Sequence, residues 1–371
     1  MYMNRYYVQV IAANYLKNLV DQPTRLNVCR SYLHGLGEDE FQSGFSELLS
    51  TVRMIYSDIA SDPKDFDMPL KQNTVPDAKN TDYTQSHASF LRVPNLLFLI
   101  GYLGELQPDL TVVIPGDKLL SGAKELKITR IQTLMNKLAD YGFETHGMSK
   151  TLKQDDLVSV GFPQNRFLMP ALKSMSEAMS AINKNDLRKS KDLFYMMNYR
   201  MLENEKPKAP KLTVECLYHA LDEDRRKVAE IFNDFIVKYA KPTVRMGGFS
   251  RNDWSCVYSL NKSNRVIMSL NIVQENLSVK LNLANISRYA DSLEQYPEEI
   301  RHAIMTGGWD CGHCRGNCAG PFSFTYEGKD YNKCRCGSFV FGHINKDTAR
   351  YCIDLLEKEI RAEKDGLAPD Q

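Results

Sequence analysis

Five of the chain's nine cysteines fall in one short stretch with the spacing C-x2-C-x3-C-x15-C-x-C. They are Cys311, Cys314, Cys318, Cys334 and Cys336. A structural zinc takes four ligands in a tetrahedron and favours thiolates. The expected set is Cys311, Cys314, Cys318 and Cys334, with Cys336 outside the shell or exchanging with Cys318. His313 and His343 are secondary candidates. In "CGHC" a tight turn can aim backbone donors at the sulfurs, and Gly312 eases that turn. "FSFTYEGKDYNKC" predicts a hairpin turning at Glu327-Gly328, whose return strand brings Cys334 back beside the first pair. A loop-rich segment with little core of its own would thus be held by metal. Four thiolates also suit an iron–sulfur cluster, and disulfides or buried thiols are the bland alternative. A catalytic zinc is disfavoured, because four thiolates close the position that catalysis needs open.

A second set of residues could read nucleic acid. "KITRIQTLMNKLADYGF" places Ile128, Ile131, Leu134, Met135 and Leu138 on one face of a helix over residues 128–141, stopped by Gly142. The opposite face carries Thr129, Arg130, Gln132, Thr133, Asn136 and Lys137, types that contact base edges and phosphates. Arg130, Gln132 and Asn136 are expected at bases, and Lys137, Lys150 and Lys153 at phosphates. From residue 124 to residue 153 there are six basic and three acidic residues. The plain alternative is a solvated face in a domain that only packs, or that pairs with another protein.

The elements around these sites are legible from periodicity. Residues 1–60 carry apolar positions at three- and four-residue steps and predict helices. A polar, proline-bearing loop is expected over 61–87. "NLLFLIGYLGEL" reads as a helix, "LTVVIP" as a strand, and "GDKLLSGAKEL" as a short helix capped by Asp117. "FETHG" and "LVSVGF" read as two strands. This order of helix, strand, helix, helix and hairpin resembles a winged helix-turn-helix domain. "ALKSMSEAMSAI" and "SKDLFYMMNYRML" predict further helices. After the charged stretch 203–211 come a helix at "VAEIFNDFIVKYA" and strands at "WSCVYSL", "RVIMSLNIV" and "LSVKLNL". "QYPEEIRHAI" and the C-terminal "DTARYCIDLLEKEIRA" are helical. The expected fold class is therefore α+β. The expected divisions are a helical region and loop over 1–87, a winged-helix-like domain with trailing helices over 88–205, and an α+β domain over 212–371 with its metal segment at 308–343.

Composition narrows the function classes. The 371 residues are 43% hydrophobic and 25% charged, the balance of a soluble globular chain. A net charge of +1 sets up no global field for a polyanion, so any nucleic-acid surface must be a local patch. The N-terminus reads as an amphipathic helix, not a signal peptide. The most apolar window, residues 93–106, is too short to span a bilayer. These features predict a cytoplasmic protein, where clustered cysteines favour metal over disulfides. No GxxxxGK[ST], GxGxxG, GxSxG or HExxH pattern occurs. Trp254, Tyr258 and Met268 could line a pocket, but their alternating spacing fits plain core. Cys29, Cys216, Cys256 and Cys352 also read as core.

The C-terminal third resembles a group of uncharacterised bacterial proteins with a cysteine-rich C-terminus. The residues that carry the likeness are "CGHCRGNC", "GKDYNKC", an aromatic strand and an acidic helix. "DWSCVYSLNKSNRVIMSLNI" is also similar to small strand-rich domains of unknown function. The resemblance implies metal binding and no established activity. The reading that follows is a DNA-binding regulator whose C-terminal part, stabilised by structural zinc, binds an effector or a partner. Duplex DNA, a small-molecule effector and a second copy of the chain are the expected partners. The alternatives are an enzyme with a pocket in the C-terminal domain and a protein-interaction scaffold.

Overall fold

A computed structural model of the chain describes residues 5–72, 81–149, 152–153, 155–273, 276–310, 320–335, 337–342 and 344–366. The protein is α+β, and it divides into two compact units, Met1–Lys211 and Leu212–Gln371.

The first unit opens with α1 (Tyr7–Lys17) and α2 (Glu38–Ser61). In α2 the residues Phe41, Phe45, Leu48, Val52, Ile55 and Ile59 recur at helical spacing and are fully buried. α3 (Thr81–Leu103) follows, then β1 (Glu105–Leu106), β2 (Val112–Pro115), α4 (Gly116–Glu125), α5 (Ile131–Ala139), β3 (Glu144–His146), β4 (Leu157–Gly161), α6 (Leu168–Ile182) and the single turn α7 (Asp192–Tyr195). α1 and α2 pack on α3 and α6, so the helices of residues 1–87 and the elements of 88–205 bury against one another. At Gly44 of α2 an added Cβ would lie 2.1 Å from the Phe167 carbonyl oxygen. That approach requires glycine.

Several local expectations need correction. α3 begins at Thr81, inside the expected loop, and carries Pro94 within it. An internal proline costs about 3 kcal/mol. Phe90, Leu96, Leu97, Phe98, Leu99 and Ile100 are all at most 1% exposed. At about 1.5–3 kcal/mol per buried side chain they outweigh that cost. α3 ends at Leu103 and not at Leu106, and only glycine fits at the next position, where a Cβ would sit 2.6 Å from the Ile100 carbonyl oxygen and 2.7 Å from Val112 Cβ. Asp117 is not the cap of α4; Pro115 holds that position and Asp117 lies in the first turn. "SKDLFYMMNYRML" forms only α7 and a 3-10 turn, with Met197 at φ 54° between them.

The small sheet of this unit has the order β1-β2-β4-β3, all antiparallel. The hairpin β3-β4 thus lies against β2, and α4 and α5 fall between β2 and the hairpin in sequence.

The second unit contains α8 (Val214–Tyr218), α9 (Glu223–Ile236), β5 (Ala240–Gly248), β6 (Asp253–Leu260), β7 (Val266–Val273), β8 (Asn276–Leu281), α10 (Glu298–Thr306), β9 (Pro321–Tyr326), β10 (Lys329–Cys334), β11 (Phe339–Gly342) and α11 (Lys346–Gly366). Asp222 caps α9 by accepting from the Arg225 backbone N–H at 2.9 Å. The main sheet is antiparallel with the order β11-β8-β7-β6-β5. β5 was not expected, and it carries Pro242 and the pair Gly247-Gly248. It lies at the sheet edge, where a proline removes no ladder bond that the sheet needs. Along β6 burial alternates strictly, with Trp254, Cys256, Tyr258 and Leu260 inward.

Candidate nucleic-acid interface and metal centre

α5 is the element expected to read bases, and its start differs from the expectation. α4 ends in a left-handed residue, Lys127 at φ 55°, and the Ile128 N–H donates to the Ala123 carbonyl at 2.7 Å. That closes a Schellman-type C-cap and pulls Ile128 and Thr129 into the turn. Arg130 then adopts φ 56° as the residue before α5. Arg130 is therefore not on the helix face as expected; it sits at the corner where α5 begins.

The flank of α5 is held by the 3-10 turn Pro63–Phe66 that follows α2. Phe66 is 2% exposed, and Lys137 Nζ lies 5.2 Å from its ring centre. Lys137 also pairs with Asp140 at 2.9 Å and Asp65 at 3.6 Å. The hydrogen bond to Asp140 holds the Lys137 ammonium above its ordinary pKa. Arg130 is ion-paired with Asp67. Tyr141 Oη donates to Asp58 of α2 at 2.8 Å and further fixes the helix exit. Two of the expected cations therefore already face carboxylates from a segment that periodicity marked only as a loop. Gln132 is half-buried, while Thr133 and Asn136 are exposed. Lys153 is exposed in the β3-β4 connection, where its backbone N–H donates to Asp156 at 2.6 Å. Lys150 lies outside the described residues. The expected face thus splits: Thr133 and Asn136 are open, Arg130 is exposed but ion-paired with Asp67, and Lys137 is half-buried.

At the expected metal centre, Cys311, Cys314, Cys318, Cys336, His313 and His343 lie outside the described residues. Cys334 is the fourth expected ligand and is 5% exposed at the end of β10. β9 and β10 pair from Tyr326↔Lys329 to Pro321↔Cys334. Glu327 at φ 48° and Gly328 at φ 71° make the two-residue turn where the sequence placed it. The Cys334 N–H donates to the Trp309 carbonyl at 2.7 Å, and Asp310 bridges to Lys333. Cys334 is thereby held against the residues that lead directly into Cys311. Trp309 itself is 69% exposed. Among the described residues no three His, Cys, Asp or Glu side chains gather as metal ligands.

Elsewhere in the second unit, Trp254, Tyr258 and Met268 are at most 2% exposed and form core, not pocket. Cys256 and Cys352 are buried as expected, and burial pushes their thiols up to about 11 and about 12. Cys29 and Cys216 are only partly buried, against the core expectation. Among the described residues no helix is long and apolar enough to cross a membrane.

Sequence reading missed three participants. Arg92 was hidden inside the apolar run of α3, and a lone cation in such a run was the available signal. Asp65 and Asp67 were missed because nothing local says that they reach α5. Compared with protein-family models, curated proteins and solved structures, the chain matches none. Fold and site define a class only: an α+β protein of two units.

Proposed function

We propose that the protein is a DNA-binding regulator. Its first unit docks α5 in a major groove, and the β3-β4 hairpin serves as the wing of a winged helix. The observation that supports this most is the strand order β2-β4-β3 beside a two-helix pair whose second helix leaves Thr133 and Asn136 exposed. Asn136 is of the type that pairs bidentately with adenine. Arg130 contacts a base or phosphate once released from Asp67. That release is cheap, because the Arg130 and Asp67 side chains are 62% and 45% exposed and such pairs contribute about 1 kcal/mol or less. Lys153 and Lys150 reach phosphates. The second unit serves as the effector or partner domain, stapled by a zinc on Cys311, Cys314, Cys318 and Cys334.

The deciding experiment is a selection of duplexes from a random pool at physiological salt. Enrichment of a motif that Asn136→Ala degrades supports the reading. A weak mobility shift does not, because any basic patch retards duplex at low salt. With no motif enriched, the regulator reading falls.

A further inference from the structure

Arg92 is a buried cation whose partners are all neutral. It is 6% exposed, inside the apolar stretch of α3. Its Nε donates to the Ser89 carbonyl at 3.1 Å, Nη1 to Thr129 Oγ1 at 3.3 Å and Nη2 to the Asp67 carbonyl at 3.1 Å. A guanidinium has five N–H donors, so two remain after these three bonds. Burial lowers the Arg92 pKa, which is the mark of a charge short of solvation. A buried charge without a counter-charge is costly, and structures retain one where something compensates it.

The place for that compensation is open. Arg92 lines a cavity of about 560 Å³ between α3, the residues after the Pro63–Phe66 turn and the α4–α5 corner. Lys127 and Arg130 line the same cavity. Both hold left-handed backbone, at φ 55° and φ 56°, where glycine is favoured over any longer residue. Two disfavoured cations flank one buried cation, and Asp67 alone among the cavity's residues is acidic. Its carboxylate is already committed to Arg130. Thr129 Oγ1 accepts from Arg92, which leaves its own proton to donate. α5 begins at this corner with no side-chain cap and no acidic residue in its first turn.

We propose that this cavity binds a small oxyanion, the carboxylate or phosphate of a metabolite-sized ligand, between Arg92, Lys127 and Arg130. Arg92 supplies the bidentate fork, Lys127 the rim charge and Thr129 a neutral donor, while Arg130 adds a second rim charge when its exposed pair with Asp67 opens. The site shares only Arg130 with the proposed DNA contact; Arg92, Lys127 and Thr129 belong to it alone, so Lys127→Gly tests it separately from duplex binding.

The test is calorimetric titration of the full chain with inorganic phosphate in one arm and succinate in the other, at ionic strength held constant with chloride. One arm saturates at one ligand per chain, and the tighter arm identifies the oxyanion. Lys127→Gly weakens that binding about tenfold or more, the worth of a charge-assisted contact. The same variant melts at the same or a higher temperature, because glycine suits the left-handed position. A purely structural lysine would not show that split. Arg130→Gln also weakens binding, and Arg92→Lys keeps the charge but loses the fork. The proposal is overturned if neither anion binds saturably over chloride. It is equally overturned if Lys127→Gly and Arg130→Gln bind as tightly as the unsubstituted chain.

Discussion

The backbone N–H of Cys334 donates to the carbonyl of Trp309 at 2.7 Å, so the end of β10 is tied to the entrance of the cysteine segment. Asp310 Oδ1 pairs with Lys333 Nζ at 3.2 Å across the same contact. One hairpin therefore delivers a buried sulfur beside residues that are 24 or more positions earlier in the chain.

The first prediction follows from that contact. Protein purified without added metal should carry one zinc per chain by elemental analysis. Cys334→Ser should lose the metal and loosen the segment after residue 308, since metal affinity is folding energy there. Cys336→Ser should be milder. A brown iron chromophore, or no stoichiometric metal, rejects the zinc assignment.

Charge at the α5 corner should govern duplex affinity. Asp67→Asn frees Arg130 and should strengthen binding to all duplexes by up to about 1 kcal/mol, the worth of an exposed pair. Asn136→Ala should cost about 1–3 kcal/mol at a preferred site and flatten the sequence preference. Fluorescence anisotropy with specific and scrambled duplexes reads both. An Asp67→Asn chain with weaker binding would place the carboxylate in a supporting role that the DNA reading does not contain.

Acid should destabilise the first unit through His87. Its Nε2 lies 3.0 Å from Tyr15 Oη, and burial lowers its pKa to about 4. An unfolded histidine titrates near 6.5. Between these values the unfolded chain binds the proton and the folded chain does not. Stability contributed by neutral His87 is thus complete above about pH 6.5 and declines toward pH 4, by about 3 kcal/mol in all. Urea unfolding at pH 7.5 and pH 5 should show the fall, and His87→Gln should remove most of it. An NMR titration that finds His87 near 6.5 in the folded chain refutes this account.

Glu359 should be the most sensitive position of α11. It is fully buried and accepts from Arg265 Nη2 at 2.8 Å, Asn285 Nδ2 at 3.0 Å and Tyr289 Oη at 2.7 Å. The Asn285 backbone N–H adds a further bond at 3.1 Å. Glu359→Ala leaves the Tyr289 hydroxyl and the Asn285 amide short of their acceptor and takes one of two carboxylates from Arg265, and should cost about 3 kcal/mol. Arg265→Ala should cost at least as much, because it leaves the fully buried carboxylate with neutral donors only, whereas Arg265 keeps Glu363 at 3.2 Å when Glu359 is removed. Chemical denaturation of both variants checks the order.

Local chemistry made the sequence legible wherever one element carries its own signal. The hairpin turn at Glu327-Gly328 was readable because two residues must both take left-handed backbone there, and few pairs do so. The inward row of β6 and the buried stripe of α2 were readable because periods of two and 3.6 are written along the chain. The α+β class follows from those periods alone. Contacts between distant segments were not readable. Nothing near Asp65 or Asp67 indicates that they meet Lys137 and Arg130, since that depends on how the turn after α2 packs on α5. β5 drew no strand reading from its sequence, and only the sheet order, which puts it at an edge, makes Pro242 acceptable there. Arg92 drew no reading inside its apolar helix, and only folding shows that the α4–α5 corner and the Asp67 carbonyl close around it. Periodicity reports which face of an element is buried, whereas the partner that buries it is chosen by packing across the whole unit.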